Sequence, residues 1–434
     1  MRFRQKLGDT MRCIREILTG RTFFHIGSSS KRCIPMGNGG PALQKKGRKD
    51  IIEKKLQTER TDFMKKVVII TNAPAPYRVA FFKYIQEQES EYSFHIIYIS
   101  DNREIGRQWN VEADELLSHT FLDCKVITIR RKYDDRRIVF STGIQKQLRK
   151  QQPDIVICME YNVTVLQAVH WCRAHRVPFL SWSDGTANSE RSINRLQRYF
   201  RKYVIRRAAG YISSSTATME HQISFGAKRE LCHKSLLTVD IEKYLRKKPK
   251  DYTPHKTLLY VGSLIGRKGL DLLLPAFAPT DAKIRLVIVG EGQEEQELRE
   301  MAEKLGISER ITWKGFLEGD ALTACYEECD AFVLPTREDC YGLVILEAMC
   351  ASLPVIASKY ADGAFDIMED GKNGARYGRI VDPYQKTELA AAIEEIFSDK
   401  ERLTAMQQAC YERAQQFRFS EVSKGFYEAL RATV

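Results

Sequence analysis

Two acidic side chains stand eight residues apart with a glycine between them. Asp339 and Glu347 flank Gly342 in residues 335–357, a segment that reads as the end of a strand, a helix and the next strand. A helix that begins near Gly342 offers backbone N–H groups and a dipole that favour a diphosphate. A carboxylate at each end can accept hydrogen bonds from sugar hydroxyls. The alternative interpretation is an ordinary strand-loop-helix unit.

A second candidate segment, residues 260–271, also reads as a strand, a glycine-containing loop and a helix. Its loop carries Arg267 and Lys268. A cation here can neutralise a diphosphate leaving group as the bond to the sugar breaks. A solvated basic loop with no ligand is the alternative interpretation.

The elements that must position these residues follow a βαβ rhythm. Short apolar runs rich in β-branched residues alternate with stretches long enough for helices. The runs lie at residues 67–70, 94–99, 155–158, 179–182, 211–212, 258–261, 286–289, 311–313, 331–334 and 355–357. Such alternation predicts parallel sheets with helices on both faces, whose ligands bind beyond the carboxyl ends of the strands.

At 434 residues the chain is long enough for two or three domains. A polar, basic segment interrupts the alternation of predicted strands and helices between the two halves of the chain. We therefore predict a first domain at residues 64–245, a linker at 246–256, a second domain at 257–415, and a terminal helix within 416–434 that packs back on the first domain. The cleft between the two domains is the expected site.

Residues 335–357 resemble the Glu-x7-Glu region of the large retaining glycosyltransferase family of group 1 type (glycosyltransferase family 4), which includes many bacterial polysaccharide enzymes and sucrose synthases. The resemblance implies the GT-B fold, in which two Rossmann-like, doubly wound domains face each other across a cleft. Asp339 stands in place of the first glutamate, with Glu338 beside it. The resemblance implies that Asp339 holds donor-sugar hydroxyls and that Glu347 holds the ribose. It also assigns donor contacts to the neighbouring residues Tyr341, Gly342, Leu343 and Val344.

Residues 260–271 are similar to the family's basic phosphate-binding loop. Lys268 matches the family's lysine, whereas Ser263 stands where arginine is common and leaves Arg267 as a substitute. Weaker matches at Gly292 and Lys314 follow predicted strands where the family seats the nucleotide base.

Residues 72–78 resemble the loop that many relatives place against donor and acceptor; a proline-rich turn is the alternative. The acceptor-side residues it implies are Asn72, Pro76, Tyr77 and Arg78. Asp184 follows a strand where relatives often carry a cleft-facing histidine or acid. Asp184 is therefore the candidate nearest the reacting carbon, and Asp184, Lys268 and Asp339 are the predicted catalytic residues.

The net charge of +12 is concentrated at the N-terminus. Residues 1–66 contain 17 Lys or Arg against 6 Asp or Glu, a net of +11, which leaves +1 for the remainder. Residues 1–63 give no apolar period for a core, so we expect a basic, flexible extension that can touch an anionic membrane or bind nucleic acid nonspecifically. Translation that truly starts at Met64 is an equally open interpretation.

The expected setting is the cytoplasm, at the inner face of the plasma membrane. Charges interrupt every apolar run before the roughly eighteen residues that a spanning helix needs, and the 11 cysteines are scattered without zinc-site spacing. Residues 191–207 have apolar positions Ile193, Leu196, Phe200 and Tyr203 among basic residues. They predict either a helix on an anionic leaflet near a lipid-linked acceptor or a helix packed on the core.

These patterns and the family resemblance predict an enzyme that moves a sugar from a nucleoside-diphosphate sugar to a saccharide or lipid-linked saccharide acceptor. The resemblance implies that the transfer proceeds with retention at the anomeric carbon. Family analogy places it in bacterial surface polysaccharide assembly. We expect no cofactor and no metal, since the chain has no Asp-x-Asp sequence, and no specific nucleic-acid partner. The rival interpretations are a GT-B-like epimerase or phosphorylase, and a non-enzymatic binder of anionic surfaces.

Overall fold

The computed structural model describes residues 64–88, 90–101, 116, 118–129, 136–245, 256–369 and 374–433. The predicted N-terminal extension and nearly all of the predicted linker lie outside these residues. The described strands are β1 (Lys65–Thr71), β2 (Tyr92–Tyr98), β3 (His119–Phe121), β4 (Cys124–Ile129), β5 (Arg136–Ser141), β6 (Ile155–Met159), β7 (Phe179–Ser183), β8 (Gly210–Ser213), β9 (Cys232–Lys234), β10 (Thr257–Val261), β11 (Arg285–Val289), β12 (Ile311–Gly315), β13 (Ala331–Leu334), β14 (Val355–Ser358) and β15 (Gly378–Val381).

Helices connect most of these strands. They are α1 (Pro76–Glu87), α2 (Ile144–Gln151), α3 (Val163–His175), α4 (Arg195–Ile205), α5 (Thr216–Ser224), α6 (Ile241–Tyr244), α7 (Leu270–Phe277), α8 (Glu295–Lys304), α9 (Gly319–Glu328), α10 (Leu343–Cys350), α11 (Ala364–Ile367), α12 (Lys386–Ser398), α13 (Lys400–Ala414) and α14 (Phe419–Arg431). Among the described residues, no helix is long and apolar enough to cross a membrane.

The first sheet is parallel and has the strand order β3-β2-β1-β6-β7-β8-β9. Along β1, Val67 and Ile69 pack into one apolar cluster, and Val68 and Ile70 pack into another on the opposite face. Because side chains alternate between the faces of a strand, a continuous apolar run of this kind requires helices on both sides. The chain reverses its direction of strand addition between β1 and β6.

The second sheet is also parallel, with the order β12-β11-β10-β13-β14-β15. Its direction of strand addition reverses between β10 and β13, which are the strands that precede the two candidate loops. In open α/β sheets the crevice at such a reversal is where ligands bind. The two parallel sheets confirm the predicted α/β fold class.

Sequence patterns located the central strands better than the edges. Each predicted run lies in a strand, except that β2 ends before residue 99. The β4–β5 antiparallel hairpin and the short edge strands β3, β9 and β15 were not predicted. An edge strand of three or four residues pairs with one neighbour and is too short to show an apolar run in the sequence.

The segment at residues 191–207 forms helix α4 only from Arg195 onward. Phe200 and Tyr203 pack against the first-domain core, whereas Leu196 is exposed to 45%. Ile193 precedes the helix. The predicted apolar stripe is therefore split between core packing and solvent.

The C-terminal helix α14 packs on β8, β9 and α1 of the first half. Phe426 meets the rings of Phe81 and Trp182, with centroids 5.7 and 5.4 Å apart, and it is fully buried. At Gly425 the helix approaches β9 so closely that an ideal Cβ would lie 1.8 Å from the carbonyl oxygen of Lys234. Only glycine fits this contact.

We predict that Gly425→Ala lowers the free energy of unfolding by about 1–3 kcal/mol through overpacking, although alanine is normally the better helix former by about 1 kcal/mol. Urea denaturation monitored by tryptophan fluorescence measures the change. Lys424→Ala, on the exposed side of the same helix, is the control and should change stability by less than about 0.5 kcal/mol. Stabilisation by Gly425→Ala would contradict the observed helix-to-strand contact.

Candidate functional site

The two candidate loops of the second domain meet through their backbones. Gly269 has φ 73°, and an ideal Cβ there would lie 2.1 Å from the carbonyl oxygen of Pro335. The amide of Arg337 donates to the carbonyl of Arg267 over 2.8 Å, and the Thr336 hydroxyl donates to the same oxygen over 3.0 Å. Because glycine has no Cβ, the loop after β10 can lie directly against the loop after β13.

Lys268 and Asp339 form an ion pair at this junction. The Lys268 Nζ donates to Asp339 Oδ2 over 2.6 Å, and both side chains are mostly buried. The other carboxylate oxygen of Asp339 accepts from the backbone amides of Tyr341 and Gly342, over 3.2 and 3.0 Å. The short aspartate side chain is therefore turned back onto its own loop.

The charge of Asp339 is stabilised at neutral pH. Burial on its own would raise the pKa of this carboxyl group, but the attraction of Lys268, its hydrogen bond and the Tyr341 amide outweigh that effect. The pKa of Asp339 therefore lies below its usual range. Lys268 and Asp339, predicted from separate motifs, are brought together as charged partners.

Helix α10 begins at this loop. Its N-cap, Gly342, has φ 78° and makes no side-chain cap. The first amides of a helix have no partner within the helix, and the dipole places partial positive charge there. Leu343 and Val344 are half-buried in this first turn. Tyr341, in contrast, is buried with its ring packed under Gly363, so it supports the loop from behind.

The other polar and basic side chains of these loops differ in how many of their hydrogen-bond donors are already used. Arg337 makes a bidentate pair with Asp271, with both N–O distances at 2.7 Å. Arg267 is exposed and donates to the carbonyl of Glu338 over 3.0 Å. Ser263, at the position where arginine is expected, is exposed and has only a hydroxyl to offer. Arg267 therefore keeps donors for a ligand at the mouth of the loops, in addition to those that Lys268 has beyond its bond to Asp339.

Glu347 lies in the middle of α10 and contacts a residue that sequence analysis missed. The Tyr326 hydroxyl, from α9, donates to Glu347 Oε2 over 2.8 Å. Burial raises the pKa of Glu347, although the Tyr326 hydrogen bond and the charge of Lys243 act in the opposite direction. Tyr326 is fully buried, and its sequence position looks like an ordinary apolar core position of a helix.

Gly292 follows β11, the neighbour of β10, and Lys314 lies in β12, the next strand outward at the edge of the sheet. An ideal Cβ at Gly292 would be 2.3 Å from the carbonyl oxygen of Leu264, so glycine lets the loop after β11 reach the loop after β10. Lys314 is exposed on β12. Gly292 therefore belongs to the same group of loops as Lys268, whereas Lys314 stands at the sheet edge.

In the first domain, Arg78 and Asp184 form a second ion pair. Asp184 also accepts from the Ser214 hydroxyl, and Ser214 accepts from Trp182 Nε1 over 3.2 Å. Burial alone would lower the pKa of Arg78, which is 5% exposed, but Asp184 outweighs it and the pKa is raised. The guanidinium also stacks 4.5 Å from the Trp182 ring centroid. Arg78 is thus a buried, permanently charged support for Asp184.

The rest of the predicted acceptor-side loop lies beside this pair. Asn72 follows β1 and its Oδ1 accepts from Asn162 Nδ2 over 3.2 Å. Pro76 is the first residue of α1, where its missing amide hydrogen costs nothing. Tyr77 is half-buried, with the Arg78 guanidinium 5.5 Å from its ring centroid.

The two domains contact each other directly. Asp366 of the second domain accepts from the amide and hydroxyl of Thr216 over 2.7 and 2.5 Å. Thr186 donates to Asp362, and Arg191 lies 3.2 Å from Glu338. These contacts bring the loops at the carboxyl ends of the two sheets against each other.

Comparison with known proteins agrees with this architecture. Residues 241–416 match the family model described as glycosyl transferases group 1. An uncharacterised glycosyltransferase of Methanocaldococcus jannaschii is 31% identical over 33% of this chain and 36% of its own length. The GDP-mannose-dependent alpha-(1-6)-phosphatidylinositol monomannoside mannosyltransferase of Mycobacterium tuberculosis is 31% identical over 35% of this chain and 40% of its own length. The match thus spans little more than a third of these relatives.

The fold similarity is more extensive than the sequence similarity. HepE of Anabaena, in complex with UDP and glucose, superposes with a TM-score of 0.65 at 17% identity, covering 85% of this chain and 100% of that one. The fold is therefore GT-B, and residues 241–416 carry the sequence pattern of the group 1 glycosyltransferases.

We predict that Tyr326→Phe destabilises the protein by about 1–3 kcal/mol, because it leaves the half-buried Glu347 carboxyl group without its hydroxyl donor. Thermal or urea unfolding measures the loss. Tyr98→Phe is the matched control: the Tyr98 hydroxyl is buried and has no hydrogen-bond partner within the described residues, so its removal should cost nothing. Equal losses in the two variants would show that the Tyr326–Glu347 bond contributes no specific stability.

Proposed function

We propose that the chain transfers a glycosyl group from a nucleoside-diphosphate sugar to an acceptor hydroxyl, with retention at the anomeric carbon. The observation that carries this proposal is the convergence of Lys268, Asp339 and the N-terminus of α10 at the interdomain cleft. A cation and the positive end of a helix dipole at one point favour a diphosphate. The match of residues 241–416 to group 1 glycosyltransferases supports the same assignment.

In this proposal Lys268 stabilises the departing diphosphate. Its ammonium group has three donors, so it can hold Asp339 and still reach a phosphate oxygen. Arg267 supplies a second cation at the exposed side of the loop. The charge that develops on the leaving group is thus met by groups that are already in place, which is the main source of rate acceleration we assign.

The remaining donor contacts follow the family resemblance. Glu347 binds the ribose, and the Gly342–Val344 backbone faces the sugar and phosphate. Asp339 holds the donor sugar through the oxygen that it shares with Lys268, because its other oxygen is already engaged by two backbone amides. Gly292, Ser263, Lys314 and Tyr341 line or support the nucleotide side.

The acceptor enters from the first domain, past Asn72, Pro76, Tyr77 and Arg78, with Asp184 nearest the reacting carbon. Asp184 is held by Arg78 and Ser214, so it presents a fixed negative charge to the cleft. A carboxylate there can stabilise positive charge at the anomeric carbon as the diphosphate leaves. We assign no metal to the reaction, because Lys268 and the α10 dipole supply the positive charge at the diphosphate.

We place the enzyme at the cytoplasmic face of the membrane, in assembly of a surface polysaccharide. Leu196 and Tyr199 of α4 are exposed to 45% and 52% among basic side chains, which supports contact with an anionic leaflet. The mycobacterial relative is by name an enzyme that acts on a phosphatidylinositol mannoside, and this supports a lipid-linked saccharide acceptor.

The wild-type chain should release nucleoside diphosphate from at least one member of a panel of UDP-, GDP-, ADP- and TDP-sugars. Glu347→Ala should reduce that turnover by at least about tenfold, because the ribose loses a charged hydrogen-bond partner. Glu412→Ala, an exposed glutamate on α13, is the control and should leave turnover unchanged. Undiminished turnover in Glu347→Ala would remove Glu347 from the site. An absorbance band of bound pyridoxal phosphate in the purified protein would instead favour a phosphorylase.

Lys268→Met should lower kcat by roughly 10²–10³, the usual effect of removing one preorganised group that stabilises transition-state charge. Steady-state kinetics with the donor found in the panel measure the change. Lys256→Met is the control, since Lys256 pairs with Asp281 at the opposite end of the second sheet. A change in KM with constant kcat would assign Lys268 to ground-state binding and contradict its proposed role.

A further inference from the structure

Glu160 has a backbone conformation that side chains with a Cβ rarely adopt. It follows β6 directly and has φ 79°. Glycine takes this conformation at no steric cost, whereas a glutamate there stores strain. Strain of this kind persists where the surrounding structure enforces it, and it is concentrated at functional sites.

The position of Glu160 in the sheet points to a ligand. It stands at the carboxyl end of β6, beside β1, where the first sheet reverses its direction of strand addition. Asn72, at the end of β1, and Asp184, at the end of β7, flank it. The crevice at such a reversal binds ligands in open α/β sheets.

The charged neighbours of Glu160 are occupied with one another. Arg78 pairs with Asp184. Arg201 donates two hydrogen bonds to Glu190, over 2.5 and 2.6 Å, and His221 lies 3.0 Å from the same carboxylate. Within the described residues no hydrogen bond reaches the Glu160 carboxyl group, and the residue is exposed.

We propose that Glu160 is an acceptor-binding residue, whose carboxylate accepts a hydrogen bond from a hydroxyl of a polyhydroxylated acceptor lying over the ends of β1, β6 and β7. This inference rests on the proposed function, and it adds to the acceptor side of the site a residue that binds an acceptor hydroxyl. A carboxylate with unused lone pairs in a cleft suits a sugar or polyol.

Glu160 positions the acceptor and takes no part in the breaking or forming of bonds. In the transfer the bond between the anomeric carbon and the phosphate oxygen breaks. The bond from that carbon to the acceptor oxygen forms, and the hydroxyl proton leaves with the diphosphate. Glu160 holds a second hydroxyl of the acceptor, so that the attacking one stays in place.

The charge state of Glu160 gives this role a pH signature. Although Glu160 is exposed, the protein atoms around it displace part of the water that would stabilise its charge. This effect, together with the carboxylates of Asp184 and Glu190, raises the pKa of Glu160 to about 7, although Arg201 and Arg78 oppose the rise. The carboxylate accepts hydrogen bonds more strongly than the protonated acid. Acceptor transfer should therefore increase as the pH rises through about 7.

The test uses the full-length protein, its best donor from the nucleotide-sugar panel, and the methyl α-glycosides of glucose, galactose and mannose as acceptor probes. Glu160→Gln should raise the KM for the methyl glycoside, or lower the ratio of transfer to donor hydrolysis, by roughly ten- to a hundredfold. Hydrolysis of the donor by water should stay within about threefold of wild type. Glu421→Gln, on the exposed face of α14, should behave as wild type.

Two further measurements separate acceptor binding from a structural role. The rise of transfer through about pH 7 should be absent in Glu160→Gln. Glu160→Gly should lose transfer in the same way while its Tm is unchanged or higher, since glycine removes the backbone strain. An unchanged transfer ratio in Glu160→Gln, or no transfer by the wild type to any of the three glycosides, would overturn the proposal. If no donor is turned over at all, the proposed function fails first, and this inference fails with it.

Discussion

The second domain depends on one close backbone approach, between the loop after β10 and the loop after β13. Gly269 allows it, because any Cβ at that position would overlap the carbonyl oxygen of Pro335. Two hydrogen bonds to the carbonyl of Arg267 then fix the register of the loops. Lys268 and Asp339 meet only because this contact exists, and their ion pair in turn holds the amides at the start of α10.

The ion pair also accounts for an aspartate at the position where the resemblance to the Glu-x7-Glu family predicts a glutamate. A glutamate side chain has one more methylene and can reach outward from the loop. Asp339 is too short for the same reach and is engaged by Tyr341, Gly342 and Lys268. The carboxylate therefore organises the loop at the same time as it faces the cleft, and its low pKa keeps it charged for both tasks.

The first domain is also organised by a mostly buried ion pair. Arg78 is a buried cation whose burial is tolerated because Asp184, Ser214 and the Trp182 ring surround it. A second group, Glu190 with Arg201 and His221, holds the loop that carries Thr186 and Arg191 to the second domain. The positions of the loops in each domain thus depend on polar side chains that are hydrogen-bonded within that domain. The hydrogen bond from Thr216 to Asp366 then fixes one domain against the other.

The sequence by itself determined the α/β class, the central strands and the two loops that carry Lys268 and Asp339. It could do so because buried parallel strands require continuous apolar runs, and because glycine, lysine and acid residues at fixed offsets follow strands directly. Only the tertiary structure decided which of these residues meet. Tyr326 bonds to Glu347 and Arg78 pairs with Asp184, and in each pair the two residues lie far apart in the chain. The strain at Glu160 depends on its backbone angle φ. Distance in space has no signature in residue type. The backbone angle of Glu160 gave no signal because glutamate stands where glycine would have marked a positive φ.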